Sequence, residues 1–447
     1  MIRVKRDFWK YISLGIFGML GSAGTILADA FFVSDRLGAA GLAAMNIAMC
    51  VFGLMNGTGL LFGIGGATRY TIASAQGDTP RANQVFVLSF FTALLLGTVF
   101  ALTGVFFSVP ISYLLGADNQ TISMCNSYLK TILCFAPAFV LNHLLMAFVR
   151  NDGNPALSTC AMMTGSIANI VLDYLFMYPL GMGIFGAAIA TGFAALIGIS
   201  ISCMHFLSGK NSLHFVRLKF RLREIGAIAA LGISAFITEF SSSVVLVVYN
   251  LLVLGKAGNT GVAAYGIVAN LALTVLAVMN GISHGLQPLF SKMYGMGKAS
   301  IAKKLYRRGV LLAFFLGTAV LAAAIAFTPT LVGWFNGQGD AALQVLAERG
   351  LRLYFVGFLF VGHNYLSAAY FSATEMPRQA FTIAFFRGLV GIVSMVCLLS
   401  FYFGMRGIWL AFPAVEAITV GLCLFLHGKV GIALAPVRPM EECSLEQ

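Results

Sequence analysis

Apolar residues run through this chain in long stretches that are separated by short polar segments. About 20 consecutive apolar residues cross a bilayer as one helix. At that length the pattern predicts about 12 membrane-spanning helices, numbered here span 1 to span 12 in chain order. Their approximate limits are 12–34, 40–64, 85–110, 121–149, 156–178, 185–207, 226–255, 261–288, 309–335, 342–373, 380–403 and 407–427.

Composition supports an integral membrane protein. The 447 residues are 59% hydrophobic and only 10% charged, whereas soluble domains carry about 25% charged residues. We therefore predict an all-α polytopic membrane fold. The sequence contains neither a GxxxxGK[ST] phosphate loop nor an HExxH pair, so nothing supports ATP hydrolysis or zinc catalysis. We predict a protein that is not an enzyme and has no cofactor.

The net charge of +12 follows a topological pattern. If the N-terminus is cytoplasmic, most Lys and Arg side chains fall in the loops of that same side, including the segments that join spans 6 and 7 and spans 8 and 9. The positive-inside rule then predicts a multi-pass protein of the cell membrane with both termini in the cytoplasm. Because topology accounts for the basic charge, we expect no nucleic-acid partner.

The two halves of the sequence repeat each other. When the second half is laid over the first, glycine, asparagine and proline positions align across several spans. Six spans per half make the repeat parallel, which predicts two six-helix lobes with a cavity between them. We predict an N-lobe at 1–208, a basic cytoplasmic linker at 209–225, a C-lobe at 226–428 and a cytoplasmic tail at 429–447. The aligned pairs include Gly41 with Gly261, Gly65 with Gly285, Gly77 with Gly297, Asn142 with Asn364, and Pro155 with Pro377.

Two aspartates lie inside predicted spans, Asp29 in span 1 and Asp173 in span 5. A carboxylate at bilayer depth costs several kcal/mol unless it faces a cavity, the protein interior or a cation, so these acids favour a transport function. Asn169 precedes Asp173 by one helical turn and shares its helix face. Carboxylate and amide oxygens suit a small alkali cation, but two neighbouring carboxylates can hold a proton instead. Both Na⁺ and H⁺ stay open as coupling ions.

Several motifs resemble the multidrug and toxic compound extrusion (MATE) family. They are DAFFVSDRLGAAG at 29–41, GIGGATRYTIASAQGD at 63–78, NIVLD at 169–173 and GMGIFGAAIAT at 181–191. Their order follows the family, and the resemblance covers nearly the whole chain. It implies secondary active efflux of bulky, often cationic and aromatic compounds, driven by inward movement of Na⁺ or H⁺.

The resemblance also implies an ion site in the N-lobe. Asp29, Asn169, Asp173 and Thr191 match its side-chain ligands, and Ala187 matches a position that contributes its backbone carbonyl. The four side chains would bind the metal ion if the protein is sodium-coupled.

The C-lobe departs from the family pattern. Glu239 matches a span 7 glutamate that forms a second cation site with a span 10 aspartate in some members. Residues 353–371 of span 10 contain no acid here and offer His363 and Asn364 instead. We therefore expect no complete sodium site in this lobe. Glu239, His363, Asn364 and Glu416 are candidates for substrate contact or protonation.

The sequence thus predicts an antiporter that exports drugs and other organic cations or amphiphiles by alternating access, embedded in the bilayer and working as a monomer. An alternative is a flippase or exporter of a lipid-linked saccharide or other amphiphile on the same architecture. Such a protein should line its cavity with Arg or Lys for the pyrophosphate, and only Lys130 and Arg387 are candidates. A non-transporting membrane assembly or receptor subunit is a third reading, against which the intramembrane acids argue.

Overall fold

A computed structural model describes residues 2–119, 121–209, 211–336 and 340–431. Within these ranges the regular elements are all helical. In the first half, spans 1 and 2 form one run of helix that is interrupted at Gly38. The helices of this half are Ile2–Ala75, Thr79–Leu114, Ile122–Cys134, Ala136–Asn151, Pro155–Met177 and Gly183–Cys203, followed by a 3-10 turn at Met204–Leu207.

The second half has the same order of elements. Spans 7 and 8 again form one run of helix, interrupted at Gly258, and spans 11 and 12 are separated at Gly404. The helices are Leu222–Gly295, Ala299–Ala326, Thr328–Gly333, Ala341–Tyr354, Phe358–Ala373, Pro377–Phe385 and Gly391–Gly431, with a 3-10 turn at Phe355–Gly357 and a π-helical turn at Phe386–Val390.

The described residues contain the predicted number of crossings. Eight helical stretches are long and apolar enough to cross a membrane, and the bent helix pair of span 4 makes a ninth. Two of those stretches, Leu222–Gly295 and Pro377–Lys429, are each divided in two by their glycine breaks. Span 10, built from Ala341–Tyr354 and Phe358–Ala373, is the remaining one. The predicted all-α fold of 12 spans is confirmed.

The internal repeat extends to the backbone conformation. Gly38 has φ 64° and ψ −158°, and Gly258, its counterpart in the second half, has φ 60° and ψ −157°. Gly77 and Gly297, which the repeat also pairs, have positive φ as well. Residues that carry a side chain rarely adopt this backbone conformation, so glycine occupies the same turn in both halves.

Span 4 corrects one expectation. The apolar stretch 121–149 predicts a continuous helix, but the helix bends by 50° between Ile122–Cys134 and Ala136–Asn151. Pro137 lies in the first turn after the bend. Because proline has no amide hydrogen and its ring crowds the carbonyl of the preceding turn, the helix cannot continue straight through it. The hydrophobic pattern does not predict this break, because the residues around it are themselves apolar.

The two halves pack closely where span 1 meets span 8 and span 2 meets span 7. A Cβ atom at Gly15 would lie 2.2 Å from the carbonyl oxygen of Gly281, and one at Gly232 would lie 1.8 Å from that of Leu61. Only glycine permits backbones to approach this closely. A hydrogen bond of 2.5 Å from Gln287 to Thr68 crosses the same interface.

An ion-pair cluster joins the halves at the side predicted to face the cytoplasm. Arg69, in span 2, lies 3.1 Å from Glu224 at the start of span 7 and 3.6 Å from Glu375 after span 10. Arg81 lies 3.9 Å from Glu224. We call Arg69, Arg81, Glu224 and Glu375 the inter-lobe ion-pair cluster. Together with the glycine contacts, it closes the molecule on this side.

The predicted lobe limits stay a prediction. Residues 211–221 of the predicted linker contain no regular element. Of the predicted tail, residues 432–447 lie outside the described part of the chain.

Candidate ion and substrate sites

Three spans bring the predicted N-lobe residues together. Span 1 contributes Asp29, span 5 contributes Asn169 and Asp173, and span 6 contributes Ala187 and Thr191. Asp173 is completely buried, Asn169 is 1% exposed and Asp29 is 7% exposed. Small residues at 186–190 of span 6 allow span 5 to pack closely enough for these groups to meet.

Hydrogen bonds tie most of this group into one network. With its amide nitrogen directed at span 1, Asn169 donates to Asp29 Oδ1 over 2.8 Å. In that orientation its oxygen accepts from the Thr191 backbone amide over 3.3 Å. The Thr191 hydroxyl donates to the Ala187 carbonyl over 2.9 Å. The structure therefore brings together the five residues predicted from the sequence, although their role as ion ligands stays a prediction.

Asp173 is the exception in this network. Both of its carboxylate oxygens are buried, and neither receives a hydrogen bond from the described residues. Its carboxyl group lies next to that of Asp29. Two unprotonated carboxylates repel each other at this range, so the pair requires a proton or a cation. The orphaned oxygens fit such a ligand.

Tyr128 is a site residue that the sequence reasoning missed. It lies in the first helix of span 4, is 2% exposed, and its ring is within electrostatic range of both Asp29 and Asp173. The sequence does not indicate that this tyrosine is close to the site, because the bend of span 4 determines which residues it faces.

The ligand types distinguish among metals. Among the described residues no three His, Cys, Asp or Glu side chains form a group that could hold a metal ion. The N-lobe group has two carboxylates, supplemented by amide, hydroxyl and carbonyl oxygens. This oxygen set suits an alkali cation or a proton and does not suit zinc or copper.

Glu239 lines a cavity of about 530 Å³ between the two halves. Spans 2, 7, 8 and 10 form its walls, and polar side chains such as His284, Gln287 and Tyr365 face it together with Glu239. Within the described chain Glu239 has no ion-pair partner. His284 and Tyr365 were not predicted, although a histidine inside an apolar span is a signal that the sequence offers.

Asn364 and Glu416 belong to a separate cluster in the C-lobe. Arg387 Nε lies 2.6 Å from Glu416 Oε1, and Asn364 donates to Glu416 Oε2 over 2.7 Å. The π-helical turn Phe386–Val390 carries Arg387, whose guanidinium lies 4.1 Å from the centre of the Tyr365 ring. Glu416 is 2% exposed. Its negative charge is thus matched inside the protein.

His363 lies in a third environment. Its Nε2 is 3.2 Å from the Tyr306 hydroxyl, which also contacts Ser367 over 2.9 Å. The four C-lobe candidates therefore do not form one site. Glu239 faces the cavity between the halves, whereas the other three are engaged within the C-lobe.

Twelve spans in two repeated halves, with buried carboxylates and a cavity between the halves, define a polytopic membrane transporter. The model of the MatE family matches residues 16–175 and 233–396, one segment in each half. The chain belongs to this family, whose members are transporters and not enzymes.

Named relatives and solved structures agree with this assignment. Multidrug export protein MepA of Staphylococcus saprophyticus is 27% identical over 372 residues, covering 82% of this chain and 81% of the relative. MepA of Staphylococcus aureus is 25% identical over 369 residues, with the same shares covered.

Among solved structures, an outward-facing MATE transporter of the MOP superfamily is similar with a TM-score of 0.89 and 22% identity, covering 96% of both chains. The D35N mutant of the Vibrio cholerae transporter VcmN is similar with a TM-score of 0.88 and 19% identity, covering 96% of this chain and 97% of that one. At these identities the likeness establishes the fold.

Proposed function

We propose that this protein is a secondary active antiporter that exports bulky organic compounds, many of them cationic, in exchange for inward Na⁺ or H⁺. The observation that carries the proposal is the Asp173 carboxylate, which is fully buried beside Asp29 and receives no hydrogen bond from the described residues. The similarity to the multidrug export protein MepA supports drugs as the cargo.

The ion acts by changing the charge of the N-lobe. Without a ligand, Asp29 and Asp173 carry two negative charges at bilayer depth, which is costly. A proton shared between them, or Na⁺ bound with the oxygens of Asn169, Thr191 and Ala187, removes one of these charges. Each ligand favours the arrangement of spans 1, 5 and 6 that surrounds it best, so ion binding biases the conformation of the lobe.

The substrate contacts the cavity that Glu239 lines. The carboxylate of Glu239 attracts a cation, and Tyr365 offers an aromatic ring beside it. Arg387 is engaged by Glu416, which leaves less cationic surface for a pyrophosphate than the flippase alternative needs.

Alternating access requires the side of the molecule that is closed here to open during the cycle. The glycine contacts between spans 1 and 8 and spans 2 and 7, together with the inter-lobe ion-pair cluster, hold the halves together on the predicted cytoplasmic side. In this state the cavity would release substrate outward. Uptake of new substrate requires these contacts to separate.

Proteoliposomes test the proposal directly. Ethidium movement is followed under a Na⁺ gradient and, separately, under a pH gradient, for wild type and Asp173→Asn. We expect one gradient to drive transport in wild type, and Asp173→Asn to abolish most of the driven rate, because the neutral amide removes the charge that the ion would compensate. Asp35→Asn is the matched control, because Asp35 is an exposed acid at the end of the same span as Asp29.

Two outcomes would contradict this function. Gradient-driven transport that is unchanged in Asp173→Asn, in a protein that elutes as wild type does, would exclude Asp173 as the coupling residue. Failure of both gradients to move ethidium in wild type, with movement of a labelled lipid-linked saccharide instead, would establish the flippase alternative.

A further inference from the structure

The segment between spans 6 and 7 is held against the N-lobe by its backbone. The amide of His214 donates to Asn83 Oδ1 over 3.0 Å, and Gln84 Nε2 donates to the carbonyl of Arg217 over 2.8 Å. Its residues 211–221 form neither helix nor strand. These bonds fix its first part and determine where the following residues lie.

The attachment point lies where span 3 enters the membrane. The helix Thr79–Leu114 has 36 residues and is about 54 Å long, which exceeds the hydrocarbon thickness of about 30 Å. Its first residues, TPRANQ at 79–84, are polar, and a continuous apolar run starts at Val85. Asn83 and Gln84 therefore lie at the boundary between headgroups and hydrocarbon.

Beyond Arg217, basic and apolar side chains alternate. Arg217, Lys219 and Arg221 alternate along the sequence with apolar residues. The apolar residues between them are Leu218 and Phe220, and both are exposed. Phe220 is 63% exposed and the three basic side chains are exposed as well. No Asp or Glu occurs between positions 209 and 223.

We propose that residues 217–223 bind the surface of the bilayer through anionic lipid headgroups. The basic side chains contact the phosphates, and Leu218, Phe220 and Leu222 enter the region where headgroups meet acyl chains. Three observations select this partner: the position of the segment at the hydrocarbon boundary, its exposed apolar side chains, and a charge opposite to that of an anionic leaflet. The segment is thereby a membrane-bound strap that joins the two halves.

Fluorine NMR of the full chain in nanodiscs tests the strap. Trifluoromethyl-phenylalanine is placed at position 220, in bilayers of phosphatidylcholine alone or with about a third of phosphatidylglycerol. A lipid carrying a spin label near its headgroup and a water-soluble gadolinium chelate each broaden the signal of nearby fluorine. The same probe at Phe106, which is 70% exposed on span 3, is the reference for a lipid-facing ring.

In anionic bilayers we expect the lipid label to broaden the signal at position 220 more than the chelate does. We compare the broadening by the lipid label with the broadening by the chelate, as a ratio. In the variant Arg217→Gln/Lys219→Gln/Arg221→Gln, or without anionic lipid, this ratio falls by at least about fivefold, because losing even one headgroup contact of about 1 kcal/mol gives that factor. The Phe106 reference stays unchanged.

Three results would overturn the strap. The chelate could dominate at position 220 in every bilayer, which places the ring in water. The lipid label could dominate equally with and without anionic lipid and in the triple variant, which excludes recognition of headgroup charge. Protection from both reagents would show that protein covers the ring.

Discussion

The ion pair between Arg387 and Glu416 should stabilise the C-lobe only as a pair. Their side chains are 12% and 3% exposed and their closest atoms are 2.6 Å apart. Removing one partner of a buried pair leaves an uncompensated charge, which costs about 3–5 kcal/mol. We expect about 3 kcal/mol for Glu416→Gln and for Arg387→Gln separately, because the Asn364 bond and the Tyr365 ring still contact the group that remains.

The double variant decides between a coupled pair and two independent residues. Two neutral amides bury no charge, so Arg387→Gln/Glu416→Gln should cost no more than one single variant, which gives an interaction free energy of at least about 3 kcal/mol. The control pair, Glu348 and Arg352, is partly exposed and 3.7 Å apart. There the same cycle should give about 0.3–0.5 kcal/mol.

Unfolding by SDS in mixed micelles measures these values. Trp409 is buried, lies in span 12 with Glu416, and provides the fluorescence signal. Single-variant costs that add up in the double variant would refute the coupling. A further test is Na⁺: because Arg387 already neutralises Glu416 in the wild type, Na⁺ should not change the cost of Glu416→Gln. A Na⁺-dependent cost for Glu416→Gln would show that this carboxylate binds an exchangeable cation.

Two further predictions concern the closed side. Gly232→Leu should prevent the close contact with Leu61, where a Cβ atom would lie only 1.8 Å from a carbonyl oxygen, and so shift the molecule away from the closed arrangement. Crosslinking between cysteines introduced on spans 2 and 7 should therefore fall. Gly226→Leu is the control and should leave the crosslinking unchanged, because an added atom there meets nothing within 4 Å. Equal crosslinking in both variants would exclude Gly232 as a residue that holds the two halves together. Arg69→Ala should open the same side more weakly, by about 1 kcal/mol in total, because its pairs with Glu224 and Glu375 are partly exposed. Distances between spin labels on the two halves measure this shift, and an unchanged distribution would contradict it.

The sequence predicts the fold well because a bilayer restricts the choices. Apolar length gives the number of spans, and the repeat that pairs Gly77 with Gly297 also relates the breaks at Gly38 and Gly258. The bend of span 4 escapes this reasoning, since periodicity does not register a proline between apolar residues. The π-helical turn that presents Arg387 also escapes it, because the wider turn leaves the run of apolar residues uninterrupted in length.

Some residues of the candidate sites can likewise be predicted from the sequence, and others cannot. Asp29, Asn169 and Asp173 can be found because polar residues are expensive at bilayer depth. Tyr128 cannot, because a tyrosine is ordinary in a membrane helix and its position depends on tertiary packing. The partner of Glu416 also depends on packing, since Arg387 lies in span 11 and Glu416 in span 12.

Different groups balance the charge of a buried carboxylate in the two halves. This difference affects how ion binding is coupled to transport. In the C-lobe the guanidinium of Arg387 is a permanent counter-charge for Glu416, so this acid needs no mobile ion, whereas Glu239 faces the cavity. In the N-lobe the described residues supply no hydrogen bond to Asp173, and its neighbour Asp29 has the same charge. Only a mobile cation or proton can then neutralise the site, and its arrival and departure change the charge of the N-lobe alone. We therefore propose that a single ion site drives the cycle, while the C-lobe supplies Glu239 and the cavity wall for the cargo.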